Sequence, residues 1–170
     1  LRDPEPTSSN YGYKDFSDQP LFVGAPTLND VRQGYVGDCY FLASLASLTL
    51  QEPHLIEQMV TDLGDGTFAV RFFNAGSAEY LRVDGELPTW SSTSWSPVYA
   101  KLGRQGQLWV ALAEKAFAFY RYGENSYESI SGGWMASVYQ QVTGRYSSTV
   151  RVQGQSGDDV WGSLGSMLDA

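Results

Sequence analysis

The feature that leaves this chain least freedom is a glycine-punctuated loop running straight into an apolar helix. Two glycines, Gly34 and Gly37, stand in the short stretch from Gly34 to Asp38. Phe41, Leu45 and Leu48 then fall at i, i+4 and i+7, and Leu42 and Ala46 widen the stripe. That spacing predicts a buried helix over 39–50. The 170 residues (18.7 kDa) suit one domain, or one large lobe of a two-lobed protein. A chain of this length buries about 70% of its unfolded surface, so its core needs no disulfide or metal staple.

Before the loop, residues 1–27 read as an extended approach segment, because Pro4, Pro6, Gly12, Pro20, Gly24 and Pro26 interrupt any regular pattern. After the first helix, Pro53 opens a second one expected over 53–62, carrying Leu55, Ile56, Met59 and Val60. Asp65-Gly66 marks a turn. Phe68, Val70 and Phe72 alternate as in a half-buried strand, and Leu81 and Val83 repeat the pattern beyond the turn-prone stretch Asn74 to Ala78. The pair predicts a β-hairpin. Residues 89–96 form a polar loop with two tryptophans, and 107–122 return to helical spacing until Gly123. A helix over 134–142, a strand over 147–153, a linker at 154–157 and a further helix over 158–168 complete the expectation. The fold class is α+β.

Eleven Lys and Arg against nineteen Asp and Glu give a net charge of −8. That balance argues against nucleic acid or an anionic membrane as partner, since both call for a basic patch, and it leaves room for a cation such as calcium. No stretch of 18 apolar residues offers a membrane span, so a soluble protein is expected. One cysteine and one histidine exclude a disulfide framework and a Cys/His zinc cluster. The chain starts at Leu1 without signal-like character, which reads as a mature or excised piece of open cellular address.

Cys39 stands at the predicted N-terminus of the 39–50 helix. Unpaired N–H groups and the helix dipole there favour an anion and hence the thiolate a nucleophile needs. Gln33 lies six residues upstream, where its amide N–H can join the Cys39 backbone N–H around an oxyanion, with Gly34 and Gly37 allowing the loop to fold back. The same residues also suit a plainer role, a lone cysteine serving as a small buried hydrophobe.

The segment Gln33-Gly34-Tyr35-Val36-Gly37-Asp38-Cys39-Tyr40-Phe41-Leu42-Ala43 resembles the nucleophile motif of the calpain family of cysteine proteases, Q-G-x-x-G-D-C-W/Y-F-L-A, at nine specified positions. Val83 to Thr89 is similar to the family's V-D-D-x-L-P-T strand end, and Leu108 to Ala118 to its L-W-x-A-L-x-E-K-A-Y/F-A helix. Ser126 to Gly133 is similar to S-Y-E-A-L-x-G-G. The resemblance implies a papain-like protease core: 28–153 the Cys-bearing first subdomain with a small antiparallel sheet, and 154–170 a linker and the truncated start of a second subdomain.

By the same resemblance Cys39 is the nucleophile, Gln33 the side-chain oxyanion donor, and Gly132 and Gly133 hold substrate backbone; their plainer reading is a loop turn. The resemblance also implies a calcium site from Asp30 and Glu114 with the Val23 and Ala25 carbonyls. Without it, Asp30 caps a turn and Glu114 sits on a solvated face. An intracellular address is implied as well, with secretion left open.

The family's histidine and asparagine motifs, G-H-A-Y and N-P-W-G, do not occur in these residues. His54 lies past the first helix, about 20 Å from the thiol at 1.5 Å rise per residue, so it is not the base. The expectation is therefore the nucleophile-bearing portion of a calpain-like cysteine endopeptidase. Its substrate is a peptide or protein, its partner is the remaining His/Asn half, and it is inactive alone. The alternatives are a non-catalytic calpain-like binding or scaffold module, and a papain-fold acyl transferase.

Overall fold

The computed structural model describes residues 1–91 and 93–168. Ser92, in the loop expected at 89–96, and Asp169 and Ala170, in the expected start of a second subdomain, lie outside the described residues.

The centre of the fold is helix α3 (Trp109–Tyr120), whose residues from Trp109 to Ala118 are all buried. Its apolar side chains leave no face for water, so other elements must cover it on every side. On one side stands an antiparallel sheet of β2 (Val60–Asp62), β3 (Thr67–Asn74) and β4 (Ser77–Asp84), in the order β2-β3-β4. Phe68, Val70 and Phe72 of β3 alternate inward, as the period-two pattern requires. On another side lies α1 (Cys39–Gln51), whose Phe41 ring stacks on Phe117 of α3 with centroids 4.2 Å apart. Phe72 adds a tilted contact to Phe117 at 5.7 Å, so one aromatic ring joins both helices to the sheet.

The hairpin forms where expected, with a tighter turn. The strands run to Asn74 and Ser77, and Ala75 and Gly76 both take positive φ, 47° and 82°. Two consecutive positive φ values suit the right-handed twist of the flanking strands. Helix α4 (Met135–Thr143) ends at Gly144 in the left-handed conformation, and α5 (Gly157–Leu168) closes the element order.

Three expectations give way to tertiary context. The second helix, α2 (Pro53–Glu57), stops early, and Val60–Asp62 becomes a strand because the edge of β3 offers pairing, Val60 opposite Val70. The N-terminal segment is not wholly irregular: β1 (Gly12–Asp15) pairs antiparallel with β5 (Glu86–Thr89), Tyr13 opposite Pro88. Four residues between turn-formers carry no periodic signal, and their partner lies far along the chain. Residues 147–153, expected as a strand, have no strand partner among the described residues and are irregular.

Phe117→Ala should cost about 3–5 kcal/mol, because the cavity would open where α1, α3 and β3 meet. Urea denaturation checks this, and a loss below about 1 kcal/mol would show that the three elements do not share one core.

Candidate active site

Cys39 is the first residue of α1 and is exposed. That removes the plainer reading of a buried hydrophobe. Phe41 and Leu42 N–H both donate to the Asp38 carbonyl, at 2.8 and 3.1 Å. The Cys39 and Tyr40 N–H groups have no acceptor among the described residues, so the helix terminus presents two free donors.

The loop before Cys39 is set by a neighbouring segment. Tyr35 N–H donates to the Val98 carbonyl at 3.1 Å, and Lys101 N–H donates to the Arg32 carbonyl at 2.8 Å. Gly34 lies so close to this segment that a Cβ there would sit 1.9 Å from the Tyr99 carbonyl oxygen. Only glycine permits that approach. Gln33 is exposed, and its Nε2 donates to the Val36 carbonyl at 3.0 Å, which fixes the amide within the loop and leaves its second hydrogen free.

Gly132 and Gly133 lie against the same loop. Gly132 N–H donates to the Gly37 carbonyl at 2.8 Å, and Gly132 takes φ of +68°. A Cβ on Gly133 would fall 2.4 Å from the Tyr40 ring. Tyr40 in turn donates its hydroxyl to the Ile130 carbonyl at 3.0 Å and accepts from Arg121. The structure thus brings Cys39, Gln33 and the two glycines onto adjoining loops.

Beneath Cys39 lies a feature the sequence did not point out. Asp38 is fully buried, 0% exposed, and faces Glu114 of α3, itself 1% exposed. Burial pushes the Asp38 carboxyl from its ordinary value near 3.8 up to about 6, against a lowering hydrogen bond from Glu114. Burial, and next the charge of Asp38, hold Glu114 well above its usual range. Burial and mutual repulsion thus favour a single proton shared by the pair, with Glu114 as the donor and Asp38 as the acceptor. Glu114 is far from the solvated face that its isolated sequence position also allowed.

A family model described as calpain family cysteine protease matches residues 12–169. The chain belongs to the calpain family of cysteine proteases. It is 32% identical over 152 residues to Calpain-5 of Caenorhabditis elegans, covering 84% of this chain and 22% of that protein. It is 33% identical over 140 residues to the Calpain-2 catalytic subunit of Gallus gallus, covering 79% of this chain and 19% of the relative. Calpain-8 of Mus musculus is 32% identical over 136 residues, covering 77% of this chain and 18% of the relative. The chain thus spans about a fifth of the length of these relatives. The mixed helices and small antiparallel sheets agree with a papain-like protease core.

In this calpain-family chain the residues suggested for calcium answer to other partners. Asp30 is 5% exposed and accepts four hydrogen bonds, from Thr27 N–H at 3.0 Å, Thr27 Oγ1 at 3.2 Å, Gln107 Nε2 at 3.1 Å and Trp109 Nε1 at 3.1 Å. A carboxylate has about four lone-pair positions, so Asp30 as folded offers a cation no free oxygen. Its role as a turn cap, the plainer reading, is what these bonds describe. Glu114 Oε2 accepts the Ala100 N–H at 2.8 Å, and the side chain faces Asp38. Val23 and Ala25 are exposed residues of the preceding loop. In this arrangement the four do not fit a calcium cage, which wants six or more oxygens turned inward.

The acidic trio Asp3, Asp84 and Glu86, whose carboxylates converge within 4.8 Å, has its cation in the chain itself. Lys115 Nζ donates to Asp3 at 2.5 Å, to Asp84 at 2.6 Å and to the Glu86 carbonyl at 2.6 Å. His54 is exposed on α2, with Glu52 at 4.0 Å. No helix of the described residues is long and apolar enough to cross a membrane.

The raised values of Asp38 and Glu114 carry a sign. The folded chain holds these protons to higher pH than the unfolded chain does. Their stabilisation is complete below about pH 4 and is lost as pH rises through about 6 and beyond. Glu114→Gln keeps the shape and the donor without a proton to lose. Its melting temperature relative to wild type should climb from about pH 5 to about pH 8. A constant difference across that range contradicts the shared proton.

Proposed function

We propose that this chain is the nucleophile-bearing portion of a calpain-like cysteine endopeptidase, which hydrolyses peptide bonds through a thioester acyl-enzyme. The observation that carries the reading is Cys39 exposed at the open N-terminus of α1, beside the Gln33 loop and the Gly132–Gly133 loop. Membership of the calpain family supports the reaction class.

In this reading an extended peptide lies along Gly132 and Gly133, where the absence of side chains lets two backbones approach. The Cys39 thiolate attacks the scissile carbonyl carbon, forming the C–S bond while the carbonyl π electrons move to oxygen. The Cys39 N–H and the free hydrogen of Gln33 Nε2 stabilise that oxyanion. A histidine of the remaining half, oriented by an asparagine, takes the thiol proton and returns it to the leaving amine as the C–N bond breaks. Water activated by the same histidine then cleaves the thioester and restores the thiol. His54 takes no part, because it lies beyond the far end of α1. Alone, the chain has the nucleophile without its base, so it is inactive until the His/Asn half is joined to it. Calcium has no step in this scheme.

The test is cleavage of an unstructured protein such as casein by this chain alone and joined to the His/Asn half of a calpain. The joined protein should cleave, and this chain alone should not. Cys39→Ala should abolish cleavage, and Gln33→Ala should lower kcat about 10²–10³-fold, the usual cost of one oxyanion donor. A joined protein that binds casein without cleaving it would favour a binding or scaffold module, and turnover by the single chain would show that the missing base was misread.

A further inference from the structure

Arg121 stands just past the end of α3, half-buried, with its guanidinium beside two tyrosine rings. It lies 5.3 Å from the centre of the Tyr40 ring and 4.7 Å from that of Tyr122. It donates to the Tyr40 hydroxyl and, at 3.0 Å, to the Tyr122 hydroxyl. A guanidinium carries five N–H donors, so several find no protein acceptor among the described residues. Among those residues no carboxylate comes within 4.0 Å of it either. Aromatic faces supply part of the compensation that a partly desolvated cation needs, and the rest of its donors stay open.

Arg121 lines a pocket of about 370 Å³, a size that suits a small ligand or a side chain. Gly133 and Trp134 form another part of the wall, and Tyr40 a third. Trp134 is 75% exposed and Tyr122 is 73% exposed, so two large aromatic faces meet water beside an unpaired charge. Tyr40 follows Cys39 in α1. The pocket therefore begins within a few residues of extended peptide from the thiol, at about 3.3 Å each. Gln141 of α4 adds a buried Oε1 that has no hydrogen-bond partner among the described residues.

Glu79 lines the same pocket with the opposite charge. It is exposed, and its Oε1 already accepts from Asn74 Nδ2 at 2.9 Å. Water and salt screen an exposed carboxylate more than a half-buried guanidinium, so the positive charge reaches further into the pocket. We propose that the pocket takes an acidic side chain of the bound peptide, with Arg121 as the residue that selects it. The side-chain carboxylate receives the open donors of Arg121, its stem lies against Trp134, and a peptide N–H satisfies Gln141 Oε1. The proposal rests on the reading of Gly132 and Gly133 as the cradle of the substrate backbone, and it names the side chain that this cradle delivers.

Cys39 is the single cysteine, so alkylation of the 170-residue chain followed by intact mass reads it alone. The probes are short alanine peptides in two sets, one ending in a chloromethyl ketone and one beginning with a chloroacetyl group. In each set Glu or Gln stands one, two or three residues from the electrophile. At one position the Glu peptide should label about fivefold faster than its Gln counterpart, the order expected of one charged pair near a surface. The Glu/Gln ratio cancels any change in the reactivity of the thiol itself. Arg121→Gln keeps a donor for Tyr40 and removes the charge, and it should bring that ratio to about one. Arg121→Lys should retain part of the preference. Glu79→Gln removes the opposing carboxylate and should raise the ratio about twofold.

A ratio near one at every position in the wild-type chain overturns the proposal, as does a preference that survives in Arg121→Gln. If Arg121→Gln does not fold, Glu79→Gln on the exposed strand decides: a raised ratio supports the proposal, and an unchanged one overturns it. The cradle fails separately. In that case every peptide labels no faster than chloroacetamide or chloroacetone, and the proposal falls with it. Peptides that outpace these bare electrophiles, with Gln as fast as Glu, would keep the cradle and remove the acidic preference alone.

Discussion

A helix buried on all sides, carrying an acid and a base in succession, is the constraint on which the rest of this structure depends. Glu114 and Lys115 are each 1% exposed, and neither tolerates such burial without partners. Adjacent residues of a helix point about 100° apart, so the two reach different parts of the fold. Lys115 gathers Asp3 from the N-terminal segment and Asp84 and the Glu86 carbonyl from the junction of β4 and β5. Glu114 gathers Ala100 and Asp38, and through them the loop that presents Cys39. A single helix thus ties down the chain's beginning on one side and its nucleophile on the other.

How much of this was legible beforehand depended on whether a signal was local. The apolar stripe from Phe41 to Leu48 and the alternation from Phe68 to Phe72 each describe one element seen from its own side chains, and both elements form as read. The pairing of β1 with β5 was invisible because neither is regular by itself; β1 exists through its partner, with Gly12 opposite Thr89. Val60 misled for a related reason. It continues the helical spacing of Leu55 and Ile56, but the open edge of β3 claims its backbone. Residues 147–153 erred the other way, since strand-forming composition makes no strand without a partner.

The site divides along the same line. Cys39, Gln33 and the paired glycines stand in short motifs, and the fold brings them onto adjoining loops. The roles of Asp30 and Glu114 depend on what faces them, which spacing does not convey. Asp30 meets the amide of Gln107 and the indole of Trp109, two donors, and becomes a latch between the 27–30 turn and the start of α3. Glu114, three positions before Phe117, on which Phe41 of α1 stacks, meets a second carboxyl. The clue at hand was the Glu114-Lys115 pair inside the L-W-V-A-L-A-E-K-A-F-A run: ionisable side chains in so apolar a helix have to be answered by something.

Whether Cys39 is a nucleophile that forms a thioester on a lobe completed by another is tested most directly by trapping the intermediate. The chain joined to a His/Asn half is mixed with a peptide ester, quenched in acid and weighed intact. A mass increase equal to the acyl fragment is expected, localised to Cys39, removed by hydroxylamine and absent in Cys39→Ala. Peptide cleavage with no acyl group ever found on Cys39, or an adduct that survives in Cys39→Ala, would contradict it.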